Sequence, residues 1–353
     1  MSYRRALDVI HLRPTDGLAE QENLDHPAWM AEVTGRDPWD DPHRAYVETY
    51  RALDVDWIMG IPERYMERQV FAQASSIATE DGGRFTEWGL SGSYWREEYL
   101  FHDVEEVLRY DPLVNEPHVA LVSDQVGAER CELVRRQQAE MGDACLVSGI
   151  YYTTLFQFPI MVFGWPLFLT AAAAEPRRFQ RLLQGFAEIS RRNLSDWAAA
   201  EPPLMLIHDD IAMQRGMVFR PAWYRQYLFP LYEYILEPLF ARPQIRVCFV
   251  SDGDYTAVLP DLVALGFHGF LINPNMELGQ IARQYGRDHF LVGNVDTAIL
   301  TFGDAEAVRR EVARCVEEAR PCAGHMIKAM GDLPHNVPLE NMRAYFGAVA
   351  AYR

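Results

Sequence analysis

The apolar run Leu204-Met205-Leu206-Ile207 passes into the polar pair Asp209 and Asp210, then through Gln214 and Gly216 into a long helical pattern opened by Pro221. A short apolar run bounded by turn residues and followed by a helix is the βα half of a βαβ unit. The same plan recurs downstream. A helix over 221–241 precedes a strand over 246–250, a helix over 255–265 stops at Gly266, and a strand over 269–272 leads to a helix over 276–284 ending near Gly286. A strand over 289–292, a helix carrying Val308, Val312, Cys315 and Val316, a strand over 325–329 and a helix over 338–350 complete the series. Glycine just past a helix takes the left-handed conformation without steric cost.

Upstream the pattern is less regular. Residues 1–42 hold prolines and charges without sustained periodicity, which predicts a loosely structured lead-in that packs on the body. Residues 43–53 read as a helix and 55–62 as a first buried strand, with Glu63 and Arg64 at its carboxyl end. The stretch 85–99, rich in Trp, Tyr and Gly, predicts one or two hairpins over a barrel mouth. Residues 103–110 and 126–141 read as helices and 145–152 as a strand ending at Tyr152. The apolar stretch 156–174 is broken by Pro159, Gly164 and Pro166 and predicts a buried, interrupted helix. Phe179, Leu182, Leu183, Phe186, Ile189 and Trp197 then mark one helical face. Seven strand–helix alternations without a linker favour one α/β domain over 1–353, a (β/α)8 TIM barrel with a lead-in at 1–42 and the barrel at 43–353. An open doubly wound sheet is the alternative. No GxGxxG follows a strand and no GxxxxGK[ST] occurs, so a glycine loop cradling a nucleotide is not expected.

Composition narrows the partners. With 49% apolar residues the 353-residue chain has ample material for a core. A net charge of −17 argues against nucleic acid or an anionic membrane surface as the main partner. No apolar run approaches the roughly 18 residues needed to span a bilayer, and no export signal is visible. The five cysteines lack CxxC spacing and read as reduced thiols of a cytoplasmic protein.

In a barrel, polar residues at strand ends line the mouth. Here that ring comprises Asp209, Asp210 and Gln214; Ser251, Asp252 and Asp254; Asn273 and Asn275; Asn294 and Asp296; and Lys328, Asp332, His335 and Asn336. Neighbouring carboxylates raise each other's pKa, so one of Asp209 and Asp210 is expected to stay protonated as an acid while the other acts as a base or faces a cation. Asp254 and Asp296 are equally well placed to cap the helices that follow them. Lys328, in an apolar strand, either pairs with a carboxylate or works with a lowered pKa, and His335, in the turn-rich GDLPHNVP loop, is a candidate for proton transfer. No convergent set of zinc ligands is legible.

From about Gly149 onward the chain resembles the uroporphyrinogen decarboxylase superfamily, which includes cobalamin-linked methyltransferases. The resembling pieces are GIYYTTLF, VFGWPLFL, HDDIAMQRG with RPAWYRQYLFPLYEYI, VSDGDY, VGNVDTAIL with GDAEAV, and GDLPHNVPLEN. The resemblance implies a (β/α)8 barrel with its site at the mouth, and a homodimer. It also exposes departures. The arginine-rich loop that grips a porphyrinogen's carboxylates is absent, with only Arg36 and Arg44 in 20–45. Asp210 stands where those decarboxylases have a serine, and Gly331 where they have a histidine. At the HxC positions of the zinc-dependent methyltransferases stand Val250 and Asp252, and Gly331 again replaces the later cysteine. These departures imply a diverged member with an acidic mouth suited to a neutral or cationic substrate. The leading expectation is a zinc-independent methyl-transferring or demethylating component linked to a corrinoid on a partner protein. Asp209, Asp210 and Asp252 would form its acid–base core, with Lys328 or His335 as a secondary polar group. Glu63, Arg64, Tyr152, Gln214, Asp254, Asn273, Asn294, Asp296 and Asp332 would contact substrate. A decarboxylase of a porphyrinogen (a tetrapyrrole) or smaller carboxylated ring, held by Arg64 or Lys328, is one alternative. A non-catalytic small-molecule-binding barrel is another.

Overall fold

Successive side chains of a strand point to opposite faces, so an apolar strand with helices outside must fill two cores at once. The strands here do so. The computed structural model describes residues 2–71, 75–78, 84–90, 93–96, 99–114, 124–152 and 154–353. Its central strands are β1 (Ala19–Glu20), β2 (Trp57–Ile58), β3 (Gly149–Tyr151), β4 (Leu204–His208), β5 (Arg246–Val250), β6 (Gly269–Leu271), β7 (Phe290–Val292) and β8 (His325–Ile327). Seven of them form one parallel sheet in the order β1-β8-β7-β6-β5-β4-β3. β2 pairs in parallel with Leu146–Val147, which only Ser148 separates from β3, and Gln21 forms a bridge to Trp57. The architecture is the α/β barrel type expected from the alternating pattern.

The registers sort the side chains cleanly. Leu204, Leu206, Cys248, Val250, Leu271, Phe290, Val292 and Met326 face inward and pack with Ala6, Val9 and Ile10 of the helix Ser2–Ile10. Met205, Ile207, Val247, Phe249, Phe270, Leu291 and Ile327 face outward into the larger core beneath the helices. The N-terminal helix thus belongs to the barrel. Its Arg5 Nη1 reaches the buried Asp56 Oδ1 at 2.9 Å, and Asp56 Oδ2 accepts the Glu20 N–H at 2.8 Å.

This overturns the reading of 1–42 as a loose lead-in. The segment supplies a core helix, the first strand and the helix Pro27–Thr34. A two-residue strand leaves no periodicity to read. The apolar stretch over 156–174 does form two helices, Gln157–Phe163 and Trp165–Ala174, bent by 117° at Gly164. Among the described residues no single helix is long and apolar enough to cross a membrane. The aromatic-rich stretch forms the antiparallel strands Arg84–Trp88 and Ser93–Arg96, and Ser75–Ala78 adds a third. Its turn is tied to the barrel where the Leu90 N–H meets the Asp25 carboxylate. All five cysteines are free.

Candidate active site

Inward alternation continues past the strand ends and selects what reaches the mouth. Beyond Leu204 and Leu206 the inward positions of β4 are His208 and Asp210; beyond Cys248 and Val250 of β5 comes Asp252; beyond Met326 of β8 comes Lys328. His208 Nε2 and Asp210 Oδ1 are 3.0 Å apart, and the Asp252 N–H donates to the same oxygen at 2.7 Å. The Tyr152 ring stands edge-on to the His208 ring, with centroids 4.1 Å apart. Burial works to raise the Asp210 carboxyl, but the His208 hydrogen bond and charge overcome it and hold the group below its ordinary value. Asp252 is pushed up, first by burial and then by the Asp210 charge.

Asp209 faces the other way. Its carboxylate is fully buried and accepts the backbone N–H groups of Leu155 (2.9 Å), Phe156 (2.8 Å) and Gln157 (2.7 Å), together with the Tyr232 hydroxyl at 2.6 Å. Those N–H groups open the helix Gln157–Phe163, whose first turn has no intrahelical acceptor. Burial raises the Asp209 carboxyl, and the Tyr232 hydroxyl and three N–H groups pull it back. The expected acid–base couple of Asp209 and Asp210 is therefore not formed. Adjacent residues project to opposite sides of the wall, and the pair that does form is His208 with Asp210.

A short hairpin, Ala212–Met213 with Gly216–Met217, roofs this side. The Met213 carbonyl accepts the Asp254 N–H at 3.0 Å, and Asn275 Nδ2 donates to the Gln214 carbonyl at 2.7 Å. Gly253 makes the approach possible. Its φ is +81°, and a Cβ there would lie 2.4 Å from the Met213 backbone. Beneath the hairpin lies a cavity of about 320 Å³, lined by Gln157, Trp165, Asp210, Ala212, Met213, Gln214, Asp252 and Gly253. No arginine is among those residues.

Opposite stands Lys328, almost fully buried, its Nζ donating to the Gly331 carbonyl at 3.0 Å. Burial lowers its pKa against the charges of Glu22, Asp332 and Asp252. Glu22 is buried too. Its Oε1 accepts the Ala329 N–H at 2.9 Å and the Tyr345 hydroxyl, and burial pushes its carboxyl up to about 7. Asp332 is likewise raised by burial and lowered by Lys328.

The other expected contacts lie elsewhere. Asp254 and Asp296 cap, accepting the Thr256 N–H at 2.9 Å and the Ala298 N–H at 2.8 Å. Asn273 Nδ2 donates to the Ser251 carbonyl at 2.7 Å. Asn294, fully buried, ties the Asn273 and Met276 carbonyls to Arg314. Glu63 is ion-paired with Arg130 at 2.9 Å, and Arg64 is exposed beside Met66. His335 packs edge-on against Phe71, centroids 5.0 Å apart. Sequence reasoning missed His208, Gln157, Trp165 and Glu22 as site residues. For His208 the signal was present, since it shares the inward parity of Asp210.

Residues 129–352 match the family model described as uroporphyrinogen decarboxylase (URO-D). The chain belongs to the URO-D family. Its fold is similar to that of a methyltransferase from Methanosarcina mazei, with a TM-score of 0.65 at 17% identity, covering 99% of this chain and 98% of that one. A B12-independent methionine synthase from Shewanella sp. W3-18-1 aligns at a TM-score of 0.47 and 11% identity, over 95% of this chain and 96% of that one. A comparison with curated protein sequences finds no match. In this URO-D member the donors of a thiolate zinc site do not fit. Cys248 is sealed among the inward strand residues, its thiol raised by burial. Among the described residues no group of three or more His, Cys, Asp or Glu side chains is placed to hold a metal ion.

Proposed function

We propose that this URO-D family member is a methyl-transferring or demethylating enzyme that works with a corrinoid partner and without zinc. The observation that carries this reading is the Asp210–His208 pair with Asp252 beside it, where the two carboxylates line a cavity that no arginine lines. A polycarboxylated ring entering there would meet two carboxylates and no guanidinium, which disfavours it. A neutral or cationic methyl donor fits the same charge. The corrinoid supplies a nucleophilic acceptor for the methyl group. Tyr152 and Met213, 56% and 49% exposed, offer an apolar rim against which a planar macrocycle can lie.

The chain's own residues hold the donor and manage a proton. As the methyl carbon passes to the acceptor, the heteroatom it leaves keeps the bonding electron pair, so a neutral donor takes up a proton at that atom while an ammonium donor leaves as the neutral amine. His208 reaches the cavity through Asp210, whose carboxylate holds the imidazole in place for proton transfer. Asp252, raised by its surroundings, balances a cationic donor in the ground state.

The test is methyl transfer from panels of methylated amines, alcohols and thioethers to reduced free cobalamin, read from the cobalt absorbance. Wild type is expected to turn over, and Asp210→Asn to lose about 100-fold. Transfer untouched by that substitution would sink the assignment. Carbon dioxide release from a carboxylated ring would favour a lyase instead, and tight ligand binding with no turnover a non-catalytic barrel.

A further inference from the structure

Gln157 is 94% buried, being only 6% exposed, and lines the cavity beside Asp210 and Asp252. Its Oε1 has no hydrogen-bond partner, although its amide interacts with the Tyr152 hydroxyl. A buried carbonyl oxygen left without a donor is costly, so a ligand that supplies one is favoured. The position is enforced, because the Asp209 carboxylate holds the Gln157 N–H at 2.7 Å and fixes the start of its helix. Asp210 and Asp252 are carboxylates, and no described residue donates a hydrogen bond to the Asp252 carboxylate. Trp165 presents an indole, whose π face attracts cations. Two carboxylates, an orphaned amide oxygen and an indole line the cavity, and no cationic side chain is among its lining residues.

We propose that the cavity recognises a small methylated ammonium ion bearing an N–H, which donates to Gln157 Oε1 while Asp210 and Asp252 balance the charge and the methyl groups lie against Trp165. Such a cation brings the leaving proton with it. Loss of one methyl then gives a neutral amine with no further proton needed, so atoms and charge balance with a nucleophilic acceptor. The inference rests on the methyl-transfer reading for the choice of methylated amines, but binding is separable from turnover.

The experiment is titration calorimetry on the full chain, without any methyl acceptor, using trimethylammonium, tetramethylammonium and acetate as probes. Trimethylammonium is expected to bind about tenfold or more tighter than tetramethylammonium, which lacks the N–H and leaves Gln157 unpaired. Acetate should not bind. Gln157→Met should bring the ratio of the two cations to about one, and Asp252→Asn should weaken both several-fold while preserving the ratio. Folding of each variant is checked by thermal unfolding, and the wild-type ratio stands as a test without any variant. Equal binding of the two cations by wild type, no binding of either, or preferential acetate binding would overturn the proposal. Cation binding with no methyl transfer to cobalamin defeats the functional reading alone; transfer from a neutral donor with no cation binding defeats this inference alone.

Discussion

Two neighbouring carboxylates at the end of β4 inhabit different worlds. Asp209 faces the shell between strands and helices, where three N–H groups and the Tyr232 hydroxyl take up its oxygens. Asp210 faces the mouth, where His208 and the Asp252 N–H hold one oxygen and the cavity lies alongside. Identical chemistry one residue apart becomes an architectural clamp on one side of the wall and a cavity-lining group on the other. Which side a residue takes is decided by strand parity alone. The clamp also serves the mouth, since it fixes the helix that carries Gln157.

The largest effect is expected on the clamp. Asp209→Ala leaves three helix N–H groups and a tyrosine hydroxyl buried without their acceptor, and should cost about 3–5 kcal/mol in urea unfolding. Asp210→Asn, at the partly open mouth, should stay within about 1 kcal/mol of wild type. If the two variants lose comparable stability, the division of labour across the wall is wrong.

The activity effects should run in reverse order. His208→Gln, which keeps a hydrogen-bonding side chain but no titratable ring, should lower methyl transfer by about 100-fold, as Asp210→Asn does. The double variant should lose little more than either single, because residues acting as a unit are not additive. Independent, multiplying losses would show that His208 and Asp210 do not act together.

Much of this was legible in the sequence, and parity explains both the successes and the failures. The strands from 204 to 329 were readable because each is an apolar run followed by helical periodicity. Asp210, Asp252 and Lys328 were picked out as strand-end polar residues, and each stands at an inward position. The same rule names Asp209, but alternation counted from Leu204 assigns it outward. His208 shares Asp210's parity and is legible by the same count. Glu22 was hidden because Ala19–Glu20 is too short to show a period. Gln157 carried no local signal at all, since its placement depends on a carboxylate contributed by a different strand. Asp254 and Asp296 follow their strands as Asp252 does, yet they cap, as Asp preceding a helix commonly will.

An intermediate effect is expected at the hairpin that roofs the mouth. Gly253→Ala requires a left-handed conformation and puts a Cβ against the Met213 backbone. It should cost about 1–3 kcal/mol and weaken ligand binding together, because Met213 and Gly253 both line the cavity. Lost binding at full stability would mean that the hairpin moved without strain. Unchanged binding would place the ligand away from it.

The smallest effect sharpens the comparison with a third carboxylate. Glu22, unlike Asp209 with donors on both oxygens, has donors on one oxygen only, the Ala329 N–H and the Tyr345 hydroxyl, and its Oε2 has no partner. Its carboxyl is pushed by burial from the usual 4.5 up to about 7. The folded chain therefore holds a proton that the unfolded chain releases between those values. Native proton uptake in excess of the unfolded state means that stability falls as pH rises, so this contribution is complete below the ordinary glutamate value and lost as pH passes through the folded one. Glu22→Gln keeps the shape and cannot ionise. Its stability relative to wild type should rise by about 1 kcal/mol between mildly acidic and mildly alkaline buffer in urea unfolding. A difference that stays flat with pH would show that Lys328 keeps Glu22 ionised throughout, and that this carboxylate is as well satisfied as Asp209.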